Sequence, residues 1–462
     1  MSTKMKVKVA LVYPYFHPAN DNSIFRFPPL GLGYIAAALK KQGAIVDLID
    51  CTFLQFNEAL ERIKQAKADI IGFYSMFSMK KITIELAEAI KRDRNGNCEL
   101  RVVGGPLPSS SPESFLDSFD VVAVGEGEET MVELAACVEQ GIGFQDVNGI
   151  VFRDGARTVK TNSRAFIEDL NALAFPSREL FDNNAYKKYY QDNFGYTISS
   201  MITSRGCPFS CDFCSRPIFG ADMRSRSVEN IVDEVEAIGA LGYERVWFAD
   251  DCFTLNRNHL LAVCDELVRR NVGVAWECLS RVDTMDPEVA RGMKRAGCLR
   301  VFFGIESGND SVLKIMNKNI TTFQAKQAVY AAKAAGLQVG AFFMMGYTGE
   351  SNGTVLDTIR FASDLPLDYL SFTLPYPIPG TPLYERVKDK GVAIDDWEEP
   401  KNYGLIRHKL LYTSGFSETK LKFAIAKAHA QFFGHKHLGK TGYNVVAKPF
   451  ERLTDLTFEL IR

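Results

Sequence analysis

The stretch Arg205-Gly206-Cys207-Pro208-Phe209-Ser210-Cys211-Asp212-Phe213-Cys214 decides how the rest of the chain is read. It sets three cysteines in C-x3-C-x2-C spacing directly after a strand pattern at Thr197–Thr203. Three thiolates on one tight loop can hold three irons of a [4Fe–4S] cube. The fourth iron then stays open and can chelate a substrate's amino and carboxylate groups. Gly206 and Pro208 suit the bent backbone that this wrapping needs. The alternatives are a structural zinc loop and scattered core cysteines. Zinc normally takes four ligands, and no fourth Cys or His follows at zinc spacing.

Outward from the triplet, strand and helix patterns alternate. Strands are expected at Thr197–Thr203, Arg245–Ala249, Val274–Cys278, Val301–Ile305, Gln338–Met344 and Tyr369–Leu374, with helical patterns between them. Six such units predict a partial (β/α)6 barrel over 197–385, with chemistry at the C-terminal strand ends. Upstream, short and nearly all-apolar strands alternate with helices from Val7–Tyr13 to Glu128–Gln140. Such strands belong to a parallel sheet buried on both faces. Residues 1–165 are therefore read as an α/β, doubly wound, Rossmann-like domain with its ligand beyond the strand ends. Residues 166–196 have weak periodicity and read as a linker, and 386–462 as a small, mainly helical C-terminal region.

Composition limits the classes of function. The chain has 462 residues, 46% hydrophobic and 24% charged, which excludes disorder, collagen and coiled coil as the main architecture. The net charge of −2 supplies no global basic field for nucleic acid or anionic lipid. Ten cysteines are too sparse for a disulfide-stapled secreted domain. No apolar leader follows the opening residues, and no apolar run approaches the ~20 residues of a spanning helix. The expected setting is cytoplasmic, without a membrane segment.

The triplet, with Phe213 in its aromatic slot, resembles the signature of the radical SAM superfamily. This resemblance implies that Cys207, Cys211 and Cys214 hold a [4Fe–4S] cluster whose open iron binds S-adenosylmethionine (SAM). It also implies SAM contacts at Phe213, Asp250, Asp251, Glu277, Arg281, Glu306 and Lys318. Read as ordinary residues, Asp250 and Asp251 are loop or cap carboxylates and Lys318 a solvated lysine. The stretches Arg26–Ala36, Val124–Thr130, Gly346–Ser351 and Pro377–Pro382 are similar to cobalamin-binding members of the superfamily. Cobalamin is then expected against Tyr13, Pro14, Ser75, Gly104, Gly105, Gly125, Glu126 and Gly127. The D-x-H-x-x-G motif that supplies an axial histidine in many cobalamin proteins is absent, which leaves the lower face of cobalt open, water-bound or near the loop Pro14–Asn22, where His17 sits.

The resemblance implies a C-methyltransferase. A 5′-deoxyadenosyl radical would abstract hydrogen from an unactivated carbon, which then takes methyl from methylcobalamin. An external electron donor of flavodoxin or ferredoxin type would be needed. A peptide or protein substrate is favoured, such as a glutamine of methyl-coenzyme M reductase, because no insertion roofs a small-molecule pocket. The rivals are a radical cyclase or oxidase that closes a tetrapyrrole ring, and a methylthiotransferase with a second cluster on Cys51, Cys98 and Cys137. Nucleic acid is not an expected partner, since the tail lacks a basic RNA-binding module. The lysines and histidines from Lys420 to Lys440 are read as a cover over the barrel mouth or a solvated basic face. Tyr347, Tyr369, Phe372, Tyr376 and Tyr384 either shape a pocket or pack the barrel.

Overall fold

The computed structural model describes residues 5–17, 22–92, 98, 100–214, 218–392, 410–412 and 414–461. The first domain holds strands β1 (Lys8–Tyr13), β2 (Ile45–Asp50), β3 (Ile70–Tyr74), β4 (Leu100–Gly104), β5 (Val121–Ala123), β6 (Ile150–Asp154) and β7 (Arg157–Lys160), in the order β2-β1-β3-β4-β5-β6-β7. Five strands run parallel, and β6 and β7 extend the sheet antiparallel. In β1, Val9 and Leu11 face one core while Ala10 and Val12 face the other. Helices α1 (Leu30–Gln42) and α5 (Glu128–Gln140) cover the first face. Helices α2 (Phe56–Ala66) and α3 (Lys80–Lys91) cover the second, and the short α4 (Pro106–Ser110) follows β4. Burial on both faces explains why these strands carry apolar runs rather than alternation.

The stretch read as a linker contains a helix, α6 (Asn183–Phe194). Asp182 caps its start by accepting from the Ala185 amide, and Gly195 ends it in the left-handed region. Its Tyr186, Tyr189 and Tyr190 are buried. Tyr186 donates to Asp50 at 2.6 Å, while Tyr189 and Tyr190 donate to the carbonyls of Ser23 and Ile24. Arg178 pairs with Glu234 of the barrel and Asn183 accepts from the Tyr243 hydroxyl, so the segment packs against both domains.

The barrel sheet comprises β8 (Ile198–Met201), β11 (Arg245–Phe248), β12 (Ala275–Ser280), β13 (Cys298–Glu306), β14 (Gln338–Met344) and β15 (Tyr369–Thr373), all parallel. A two-stranded hairpin, β9 (Ser204–Arg205) with β10 (Arg224–Ser225), stands at the end of β8. The outer helices are α7 (Val228–Ala240), α8 (Arg257–Arg269), α9 (Pro287–Arg295), α10 (Asp310–Ile315), α11 (Thr322–Ala334) and α12 (Asn352–Asp364), followed by α13 (Pro382–Val387). Six strands leave the barrel open between β15 and β8. The first domain sends Phe25 into its interior, where the ring lies 5.3 Å from those of Trp247 and Phe302 and 5.9 Å from that of Phe342.

The C-terminal helices are α14 (Glu418–Val446) and α15 (Lys448–Leu460); α14 packs beside α12, with Leu421 against Gly346 after β14. Leu421, Ala424, Ile425 and Ala428 of α14 join the core beneath the outer helices, beside α12. The run of cations is not a solvated face throughout. Lys420 is buried over the Phe458 ring, and buried Lys427 pairs with Asp455 at 2.9 Å. The side chain of Lys440 lies outside the described residues, as do residues 18–21 of the Pro14–Asn22 loop.

Candidate active site

The cysteine loop leaves the hairpin at Gly206, whose φ is +91°. A Cβ there would stand 2.2 Å from the Asp222 carbonyl oxygen, so only glycine fits. The loop is pinned from outside by backbone bonds. The Cys207 amide donates to Gly220, and Asp212 donates to Met316 and accepts from Leu383. Asn317 donates to the Ser210 carbonyl at 2.7 Å, and Arg386 pairs with Asp212. Cys207, Cys211 and Cys214 are half-buried, and none of the three is in a disulfide. Burial pushes the Cys207 thiol above its ordinary range, and the charge of Asp251 adds to that. Among the described residues no three ligating side chains converge on one point as a single ion requires. A cube takes each thiolate on a different iron.

Arg281 follows β12 and bridges this loop to the barrel. Its guanidinium lies 3.5 Å from the Phe209 ring centroid, approaches Cys211 Sγ at 3.9 Å, and donates to Asp283 and to the Lys318 carbonyl. Glu306, at the end of β13, has φ +72° beside a register shift between β13 and β14. It accepts from Lys318 Nζ at 3.0 Å. Burial works to discharge Lys318, yet Glu306 and Cys211 hold its ammonium above the ordinary range. The same ammonium lies 5.8 Å from the Phe213 ring. Phe213, Arg281, Glu306 and Lys318 therefore converge on the cysteine loop.

Two acids of the expected SAM set stand elsewhere. Glu277 lies three residues below the end of β12, paired with Arg245 at 3.0 Å and Arg300 at 3.6 Å. It braces the opposite end of the barrel. Asp250 is buried and accepts from the amides and hydroxyls of Thr203 and Ser204, which locks the turn after β8. Burial pushes its carboxyl up to about 6 despite those bonds. Asp251 next to it is exposed.

The residues expected against cobalamin divide in the same way. Gly125, at φ +85°, has open space where a side chain would stand. It borders a cavity of about 210 Å³, lined also by Pro106, Ser109, Arg164, Ile378 and Pro379. Gly104 has ordinary contact with Ala123, whereas Gly105 and Gly127 are closed by the Ser75 carbonyl and by Ile35. Tyr13 is half-buried between Tyr15 and Tyr74, and Pro14 is buried. The Ser75 hydroxyl is turned to Thr83, and His17 is engaged by Arg26 and Tyr189. The open glycine edge fits a large flat ligand, and the three thiols fit a cube.

Glu126 has a different role from the expected one. Its buried carboxylate pairs with Arg205 at 2.9 Å and Arg224 at 3.1 Å, and accepts from the Ile167 amide. Glu128 also pairs with Arg205. These four side chains join the first domain to the hairpin from which the cysteine loop springs. Arg205 stands immediately before Gly206 in the sequence, which was the available signal for it. Phe25 lies in a loop without periodicity and gave none.

One strand edge thus carries an open glycine and the other the cysteine loop. The Radical SAM superfamily profile matches residues 201–362 and the B12 binding domain profile residues 18–135. The chain is 33% identical over 439 residues to an uncharacterized methyltransferase of Pyrococcus horikoshii, covering 93% of each. It is 27% identical over 405 residues to the anaerobic magnesium-protoporphyrin IX monomethyl ester cyclase of Cereibacter sphaeroides, covering 84% of this chain and 65% of that one. The structure of the radical SAM methyltransferase TsrM from Kitasatospora setae, with cobalamin and a [4Fe–4S] cluster bound, shares the fold at TM-score 0.73 and 19% identity, over 92% of this chain and 89% of that one. The chain belongs to the cobalamin-dependent radical SAM methyltransferase family. Its cofactors are a [4Fe–4S] cluster, SAM and cobalamin, and enzymes of this kind draw electrons from an external reductant. Among the described residues no helix is long and apolar enough to cross a membrane.

Proposed function

We propose that the enzyme places a methyl group on an unactivated carbon. The observation that carries this reading is the facing of the two strand edges. Gly125 and Pro106 after the strands of one domain share a cavity with Ile378 and Pro379 after β15 of the other. Phe77, after β3, lies 5.4 Å from Tyr376. When bound, the cluster with SAM supplies a hydrogen-abstracting radical and cobalamin supplies the methyl group. The chain's own residues position and enclose. The three thiols hold the cluster, while Lys318 and Glu306 offer opposite charges to the amino-acid end of SAM. Phe25 and Trp247 fill the barrel beneath, keeping water from a reactive site.

Residues of the first domain and of the barrel line one cavity, which supports a small substrate beside the peptide or protein first expected. A small or slender substrate reaching into the cavity fits this arrangement better. The electron donor is of flavodoxin or ferredoxin type, and the setting is the reducing cytoplasm. Ring closure is the second reading, favoured by the identity to the cyclase. For a methylthiotransferase, Cys51 belongs to the core on one sheet face and Cys137 to the core on the other. They do not build a second cluster site.

The test is anaerobic reconstitution and incubation with methyl-deuterated SAM and a lysate of the host lacking the enzyme. Mass spectrometry should find heavy methyl on carbon in a small product. Label confined to proteins would return the reading to a protein substrate. Accumulation of 5′-deoxyadenosine with no labelled product would favour the cyclase.

A further inference from the structure

The segment Ile218–Gly220, which begins four residues past Cys214, has different neighbours on its two sides. Ile218 lines the same cavity as Gly125, together with Phe166. On the other side the Gly220 carbonyl accepts from the Cys207 amide at 3.2 Å. Gly220 has φ +78°, and a Cβ there would stand 2.6 Å from the Phe166 ring. Only glycine allows so close an approach. One wall of the cavity is therefore also the backbone support of a cluster cysteine.

The ion pairs between the domains hold this wall in place. Arg224 donates to the Phe219 carbonyl at 2.9 Å and to the Ile167 carbonyl at 2.6 Å. Its guanidinium lies 4.9 Å from the Phe166 ring centroid. Arg205, one residue before Gly206, stands 5.2 Å from the Phe219 ring and 5.4 Å from that of Tyr34 in α1. Both guanidiniums pair with Glu126, the residue after Gly125. The open glycine edge thus reaches Cys207 by two short routes, one through Ile218 and Gly220 and one through Glu126 and Arg205. A molecule seated on that edge packs against Gly125 and Ile218 together, and it loses half of that contact when the cysteine loop swings away. We propose that cobalamin on the Gly125 edge locks the cysteine loop through Ile218–Gly220, so that each cofactor tightens the hold on the other. Ile218 and Phe166 act as positioning residues. Coupling between two bound groups is reciprocal, so the cluster raises the affinity for cobalamin in turn. The inference rests on cobalamin taking the Gly125 edge and not on which reaction follows.

The test follows iron release from the full-length, cluster-loaded enzyme to a chelator, anaerobically and in the dark, with and without methylcobalamin. At about 100 times its Kd, methylcobalamin should slow release roughly five- to a hundredfold. Ile218→Ala should bring that factor close to one. Phe166→Ala, which frees Gly220 from the other side, should do the same and decides the matter if Ile218→Ala does not fold. Ser110→Ala, on the first-domain side of the cavity, should keep the factor. Each variant is compared at the same multiple of its own Kd, measured by ultrafiltration, so lost affinity alone does not move the factor. A merely structural defect raises both release rates and leaves their ratio. Methylcobalamin should also bind the cluster-loaded enzyme more tightly than the cluster-free chain; equal Kd values would reduce the slowing to shielding and overturn the coupling. Equal release with and without bound methylcobalamin would overturn it too, as would an undiminished factor in folded Ile218→Ala and Phe166→Ala variants. Failure of methylcobalamin to bind either form would overturn the cobalamin reading itself, and the coupling with it.

Discussion

The seam between the two domains and the outer face of α15 break the burial rule in opposite directions. The seam buries charge: Glu126, Glu128, Arg205 and Arg224 have side chains at most 6% exposed. The outer face of α15 exposes leucine and phenylalanine to water. In the seam each carboxylate finds a guanidinium within the molecule, so the departure is answered by geometry. On α15 nothing within the described protein answers it. Paired charge fixes how two domains meet, because ion pairs are directional where apolar packing is not. Exposed apolar surface carries no such instruction until a partner arrives.

The largest expected effect comes from removing one acid of the seam. Glu126→Ala leaves Arg205 with Glu128 alone and Arg224 without a carboxylate. An uncompensated buried charge costs about 3–5 kcal/mol. Chemical denaturation of the apo protein should show that loss, together with weaker retention of the cluster. A loss under 1 kcal/mol would mean that water already reaches the seam, and the contrast with α15 would fail.

Glu350 is a buried acid that lacks what the seam provides. Its Oε2 accepts from the amides of Gly346 and Tyr347, while Oε1 has no hydrogen-bond partner among the described residues. Burial pushes this carboxyl up to about 7, above its ordinary 4.5. The folded state therefore keeps a proton that the unfolded chain releases. The resulting stability is complete below pH 4.5 and is lost as pH rises through about 7, a cost of roughly 3 kcal/mol above that. Glu350→Gln should recover up to that amount at pH 8 and flatten the profile between pH 4.5 and 7. Denaturation curves across this range decide it; unchanged slopes would show the carboxyl to be solvated.

Arg281 tests whether a buried cation beside the cysteine loop acts on the cluster. Its removal takes positive charge away from the more negative, reduced form. Arg281→Gln should lower the cluster potential, by on the order of tens of millivolts. A redox titration followed by electron paramagnetic resonance measures this. An unchanged potential would reduce Arg281 to a prop for Phe209 and Lys318.

Much of this arrangement could be read without coordinates, for identifiable reasons. Strands buried on both faces announce themselves as apolar runs, so the boundaries of β2 and β14 come out to the residue. The cysteine spacing is local, and the loop's chemistry goes with it. What escaped depends on contacts across long sequence separations. Helix α6 buries tyrosines, whose hydroxyls blur the apolar period. Glu277 looks like a site acid until the strand is counted: ending at Ser280, β12 places it roughly 10 Å below the mouth. Glu126 resembles a ligand contact beside Gly125, and only the arrival of Arg205 from 79 residues away shows its task. The net charge concealed the neutral seam of four buried charges.

The smallest expected effect closes the comparison from the other side. Leu453→Lys replaces an apolar residue that is 59% exposed with one of nearly equal helix propensity. Little packing is lost, because Leu453 lies on the face opposite Phe458 and the Asp455 ion pairs. Its neighbours four positions away are Pro449 and Thr457, so no like charge is brought close by. Stability should stay within about 0.5 kcal/mol of the wild type, as for surface substitutions generally, with solubility unchanged or improved. Denaturation of both proteins under identical conditions is the measurement. A loss above 1 kcal/mol would show that Leu453 is already covered within the folded chain. The face would then need no external partner, and the two regions would differ only in how their internal contacts are made.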